Sequence, residues 1–158
     1  MIDDEPRNLE LLSYYIEKYC AHLQIEAAFS KRVEAEDYLK DENKRSAIDI
    51  LFLDLIWDEG TGFDLLDQID YSDLHIVICT AHDEFALKAI QYEVVDYLLK
   101  PIEIQDLQQT IEKIKSKHKQ EEKPLYDAEA ISNFSTNGYE LDKPVIIKNK
   151  NAIELVLS

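Results

Sequence analysis

The run Ile48-Asp49-Ile50-Leu51-Phe52-Leu53-Asp54 decides the fold. Its nearly unbroken apolar stretch reads as a strand buried on both faces, and Asp54 closes it. Two later runs have the same form. His75-Ile76-Val77-Ile78-Cys79 is followed by Thr80, and residues 94–99 are followed by Lys100-Pro101. A shorter strand is predicted over residues 25–29. Between these runs the apolar residues fall three or four apart, which predicts helices. Residues 7–23 carry Leu9, Leu12, Ile16, Cys20 and Leu23 on one face behind Pro6, a residue suited to a first helical turn. Further helices are predicted over residues 31–43, 63–69, 83–91 and from Ile104 to about Lys117. Strand and helix alternate, and the connections are too long for hairpins. That pattern predicts an α/β fold, a parallel sheet with helices on both faces.

Strand ends in such a sheet meet at one rim, where ligands bind. Here that rim would gather Asp3, Asp4, Asp54, Thr80 and Lys100. The first strand is short: if Asp3-Asp4 end it, only Met1 and Ile2 remain, against ~5–6 residues for a typical strand.

The composition narrows the options. A chain of 158 residues with 46% hydrophobic content holds one core of ordinary size and perhaps a fragment of a second domain. No apolar run approaches the ~18 residues of a membrane span, and no signal segment opens the chain, which predicts a cytoplasmic protein without a membrane partner. Cys20 and Cys79 lie within helical and strand patterns and read as core residues. Residues 118–158 hold five Lys and seven Asp or Glu, so the first 117 residues carry twelve basic and twenty-six acidic side chains, a net of −14. Such a domain repels nucleic acid; proteins and cations are its expected partners.

Three carboxylates at one rim repel, and without a cation at least one is pushed toward protonation. Mg²⁺ suits them, because it binds a few carboxylates and keeps waters and a phosphate oxygen. Asp54 is the candidate nucleophile for a phosphoryl group. Lys100 supplies a cationic contact to that group, and Thr80 a hydroxyl, with small Ala81 leaving room for a backbone N–H. Tyr97 reads as core, or as a ring that changes rotamer when Thr80 moves. Each of these residues alone has a plainer reading: a solvated acid, a surface lysine, a strand-end threonine. The ordered set does not.

With Ile2-Asp3-Asp4-Glu5-Pro6, Leu51-Phe52-Leu53-Asp54-Leu55, Thr80-Ala81, Asp96-Tyr97-Leu98 and Lys100-Pro101 in place, residues 1–117 resemble the receiver domain of two-component response regulators. The resemblance implies a flavodoxin-like, doubly wound, five-stranded sheet of order 2-1-3-4-5 with its first strand truncated. It implies that a histidine kinase phosphorylates Asp54. It further implies that Asp4 and Asp54 hold Mg²⁺ directly, Asp3 through water, with the backbone carbonyl of Ile56 completing the set. Thr80 and Tyr97 match the family's switch pair, and Lys100 its phosphate-binding lysine. A homodimer would form through residues 83–91, 94–99 and 104–117.

Residues 118–143 read as a charged linker, with a short helix over 127–134. Val145-Ile146-Ile147-Lys148 and residues 152–157 flank Asn149-Lys150-Asn151, a hairpin signal. Residues 144–158 resemble the opening strands of a LytTR-type DNA-binding domain, so DNA would be bound only by a complete C-terminal domain. Two rival readings use the same Asp. A haloacid-dehalogenase-type phosphatase needs a second Asp two positions on, where this chain has Ile56, and a P-loop nucleotidase needs a glycine-rich loop that three glycines do not make. An inert interaction module with solvated acids is the third alternative. His82, two residues past Thr80, reads as a surface histidine or as a group that tunes water access to the phosphate.

Overall fold

The computed structural model describes residues 1–58, 60–121, 145–149 and 152–156, with side chains through Lys117. It divides into two units, Met1–Lys119 and Gln120–Ser158. The first contains helices α1 (Pro6–Tyr19), α2 (Arg32–Lys40) and α3 (Glu42–Arg45), then strands β1 (Ile50–Leu53), β2 (Ile56–Trp57) and β3 (Gly60–Thr61). It continues with α4 (Gly62–Leu66), β4 (His75–Thr80), α5 (Ala86–Gln91), β5 (Asp96–Leu99) and all but the last two residues of α6 (Ile104–Glu121).

β1, β4 and β5 pair in parallel in that order, Leu53 opposite Ile78 and Thr80 opposite Leu99. Ile2 extends the sheet with parallel bridges to Leu53 on one side and Phe29 on the other. The sheet therefore runs residues 25–29, N-terminal segment, β1, β4, β5, the predicted 2-1-3-4-5 order. The first strand is one bridging residue wide. The strand predicted over residues 25–29 shrinks to Phe29, whose N–H donates to the Met1 carbonyl and whose carbonyl accepts the Asp3 N–H. Beside this gap lies a cavity of about 330 Å³ whose lining includes Ile25, Ile48, Ile50 and Phe52.

Alternation along the strands splits the core in two, because successive side chains point to opposite faces. Leu51, Leu53, Ile76 and Ile78 pack with Ala35, Leu39, Phe63, Leu66 and Ala89 from α2, α4 and α5. Phe52, Val77, Cys79 and Leu98 pack with Leu12 and Ile16 of α1 and Leu107, Ile111 and Ile114 of α6. Helices thus cover both faces of the doubly wound sheet.

Element ends differ from the sequence reading where side chains compete for the backbone. The helix predicted over 31–43 breaks at Asp41, whose carboxylate accepts the N–H groups of Asn43 and Lys44 and starts α3. The one predicted from residue 83 starts at Ala86, and α6 runs past Lys117 to Glu121. The loop holding Gly60 and Gly62 contains a small antiparallel ladder, Ile56 opposite Thr61 and Trp57 opposite Gly60. The second unit contains the antiparallel pair β6 (Val145–Asn149) and β7 (Ala152–Val156). The helix read over 127–134 lies outside the described residues.

Two polar contacts at Asp96 tie α6 to the sheet. Fully buried Thr110 donates its hydroxyl to Asp96 Oδ2 at 2.8 Å, and Lys113 lies 3.1 Å from Oδ1. Thr110→Val keeps the volume and removes the donor, and should lower unfolding free energy by about 1–3 kcal/mol. Urea denaturation measures this; a loss under about 0.5 kcal/mol would mean the contact contributes nothing.

Candidate functional site

Three strand ends and the N-terminal bridge deliver the site. Ile2 is fixed by its N–H to the Phe52 carbonyl, and Asp54 by its N–H to the Ile2 carbonyl, both 2.9 Å. Asp3 and Asp54 thereby leave adjacent strands side by side, each 6% exposed. The Lys100 N–H donates to the Thr80 carbonyl at 2.8 Å, which sets the lysine beside them; its peptide bond to Pro101 is cis.

The ammonium of Lys100 lies 2.5 Å from Asp54 Oδ2 and 2.7 Å from Asp3 Oδ2, bridging the two buried acids. The other oxygens have their own donors. Asp54 Oδ1 accepts the amides of Leu55 at 2.6 Å and Ile56 at 3.4 Å. Asp3 Oδ1 accepts the Glu5 amide at 3.0 Å and Asn8 Nδ2 at 3.2 Å. Exposed Asp4 completes the group: Asp3, Asp4 and Asp54 each offer an oxygen, all within 4.8 Å of one another.

The electrostatics follow from this spacing. The Asp4 carboxyl is pushed up from its ordinary value, by desolvation first and then by the charges of Asp54 and Asp3. Burial pulls Lys100 down, but the hydrogen bonds and charges of Asp3 and Asp54 outweigh it, so its ammonium titrates higher than usual. One fixed cation serves three acids, and hard oxygen donors in surplus are the donor set that Mg²⁺ takes.

Thr80 ends β4 at the same rim. It is fully buried, and its hydroxyl is the one buried side-chain polar atom among the described residues with no hydrogen-bond partner. Such an atom costs stability unless something arrives to bond it. Ala81 beside it is exposed. Tyr97 is half-buried and donates its hydroxyl to the His82 carbonyl. Burial, then the charges of Glu84 and Asp83, push that phenol up to about 12. The His82 ring turns away to Glu84, 3.0 Å from its carboxylate.

Of the residues picked from sequence, Asp3, Asp4, Asp54 and Lys100 converge directly, and Thr80 joins them through its backbone bond to Lys100. The Ile56 amide touches Asp54. Asn8 was not anticipated, although a polar side chain one turn into α1, on the Asp3 side, was the available signal. The Trp57 indole, bonded to the Asp54 carbonyl at 2.9 Å, was also missed.

Residues 1–112 match the family described as the response regulator receiver domain. The chain belongs to that family. It is 36% identical over 115 residues to the sensory transduction protein LytT of Enterococcus faecalis, covering 72% of this chain and 46% of that protein. It is 27% identical over 152 residues to the transcriptional regulatory protein LytR of Staphylococcus aureus, covering 95% of this chain and 58% of that one. The chain spans about half the length of the curated relatives it matches. Among solved structures, the receiver domain of AraT, a response regulator from Geobacillus stearothermophilus, superposes with a TM-score of 0.64 at 31% identity, covering 77% of this chain and 95% of that one. Over residues 1–112 this chain is thus a response-regulator receiver domain, a signalling domain. Among its described residues no helix is long and apolar enough to cross a membrane.

The raised Asp4 pKa has a testable sign. An acid whose folded-state pKa is raised stabilises the fold fully below its unfolded value, and loses that contribution as pH rises through the folded one. Without divalent cations, the melting temperature of wild type should therefore fall relative to that of Asp4→Asn as pH climbs above the ordinary 3.8 of this group. A difference between the two that does not change with pH would contradict the crowding of these acids.

Proposed function

We propose that Asp54 is the phosphoacceptor of a two-component response regulator, taking its phosphoryl group from a histidine kinase. The observation that carries this reading is the pairing of Asp54 with Lys100, whose N–H bonds the carbonyl of Thr80, a fully buried residue with an unsatisfied hydroxyl. A carboxylate oxygen of Asp54 forms a bond to phosphorus as the bond from phosphorus to the donor breaks. The product adds roughly two negative charges. Lys100 meets that charge, and the Thr80 hydroxyl donates to a phosphoryl oxygen, with the Ala81 backbone N–H beside it.

Asp3, Asp4 and Asp54, with the Ile56 carbonyl, are the groups we assign to Mg²⁺, which when bound neutralises charge on the transferring group. The transfer stops at Asp54, so the domain signals rather than turning over a substrate. Thr80 and Tyr97 act as the switch: when Thr80 moves to the phosphoryl group, Tyr97 gives up the His82 carbonyl and turns inward. That is a local charge change biasing a two-state element.

The output face is formed by residues 83–91, 94–99 and 104–117, where Leu87 and Ile90 are 79% and 69% exposed, and it pairs with a second copy. We divide the chain into a receiver over 1–117, a linker over 118–143 and the first strands of a LytTR-type domain over 144–158. The β6–β7 pair and the 152-residue match to a transcriptional regulatory protein support that division. DNA binding then belongs to a complete C-terminal domain, and the site of action is the cytoplasm.

Intact-mass measurement after incubation with acetyl phosphate and Mg²⁺ tests the reading. Wild type should gain one phosphoryl group and Asp54→Asn none; equal labelling of the two overturns the assignment.

A further inference from the structure

Trp57 is 8% exposed, and its Nε1–H donates to the main-chain carbonyl of Asp54 at 2.9 Å. We propose that Trp57 is a positioning residue for phosphoryl transfer, its indole N–H holding the main chain of the nucleophile so that the carboxylate keeps its attack orientation. This inference rests on the phosphoacceptor reading of Asp54.

Asp54 is held at five points. Its carboxylate oxygens take the Leu55 and Ile56 amides and the Lys100 ammonium. Its own N–H goes to Ile2 and its carbonyl to Trp57. The Lys100 contact must rearrange when phosphorus bonds Oδ2 and the ammonium turns to the phosphoryl group. Orientation during the reaction then falls to the amide contacts on Oδ1 and to the two main-chain contacts. Of the contacts that remain, the indole N–H is the one a side chain supplies.

The surroundings make that contact hard to replace. Trp57 is anchored by the short ladder opposite Gly60, and the Gly62 N–H donates to the Leu55 carbonyl at 2.8 Å, closing the hairpin onto the strand end. On the glycine side the backbone presses so near that a Cβ on Gly62 would stand 2.5 Å from the Asp54 carbonyl oxygen. That side leaves little room for a water to take the indole's place. A carbonyl stripped of its donor would then turn, and the carboxylate with it.

The test replaces Trp57 in the full 158-residue chain with benzothienylalanine, which keeps the bicyclic shape and substitutes sulfur for the N–H. Trp57→Phe is the encoded companion. Labelling by acetyl phosphate at saturating Mg²⁺ is followed across donor concentrations, at a temperature where melting curves show each protein folded. The maximal rate should fall roughly three- to thirty-fold, as expected for a misoriented nucleophile, while the half-saturating donor concentration stays unchanged. A packing role alone would shift the melting curve and leave the rate per folded molecule intact. An isostere labelling within about twofold of wild type would overturn the role given to Trp57. Wild type that takes no label would instead overturn the phosphoacceptor reading, and this inference with it.

Discussion

One ammonium group holds together a corner of this fold that would otherwise push itself apart. Three carboxylates with oxygens within 4.8 Å of one another make three repulsive pairs, each about 3–4 kcal/mol at an effective dielectric near 20. Lys100 supplies two short attractive contacts, to Asp3 and Asp54. One ammonium against three carboxylates still leaves the cluster with a net negative charge, in a place where two of the acids are each only 6% exposed. Asp4, the member without a lysine contact, is the one whose protonation is favoured. The resting site is therefore short of positive charge by construction, and that shortage makes it receptive to a divalent cation.

The rest of the structure serves that corner. Parallel pairing of β1, β4 and β5 brings Asp54, Thr80 and Lys100 to one rim, and helices on both faces fix the strands in register. Burying Thr80 without a partner is unfavourable for folding, as strained or unsatisfied groups at functional sites tend to be. Behind the rim, the Asp96 contacts to Thr110 and Lys113 tie β5 to α6, one residue from Tyr97. A change at the rim that moves Tyr97 is thus next to the joint between sheet and last helix.

Much of this was legible in the residues, and the reasons are specific. Strands buried on both faces read as apolar runs, so β1, β4 and β5 stood out, and the polar residue ending each named the rim. Strand order followed from the resemblance to receiver domains, and the bridges of Ile2 to Leu53 and Phe29 bear it out. What escaped were features set by three-dimensional contact rather than by periodicity. The break at Asp41 depends on a side chain capturing two amides. The β2–β3 ladder has two residues per strand, too few to show a pattern. The Asn8 contact to Asp3 and the Trp57 contact to the Asp54 carbonyl depend on side-chain direction, which spacing does not encode.

If Lys100 is the resting counter-ion of the acid cluster, it competes with any divalent cation for the same carboxylates. Calorimetric titration of Mg²⁺ into wild type and Lys100→Met measures that competition directly. Removing the ammonium should tighten Mg²⁺ binding by roughly three- to tenfold, the effect of one nearby charge screened by solvent. Binding that weakens, or does not change, when the lysine is gone would contradict the account.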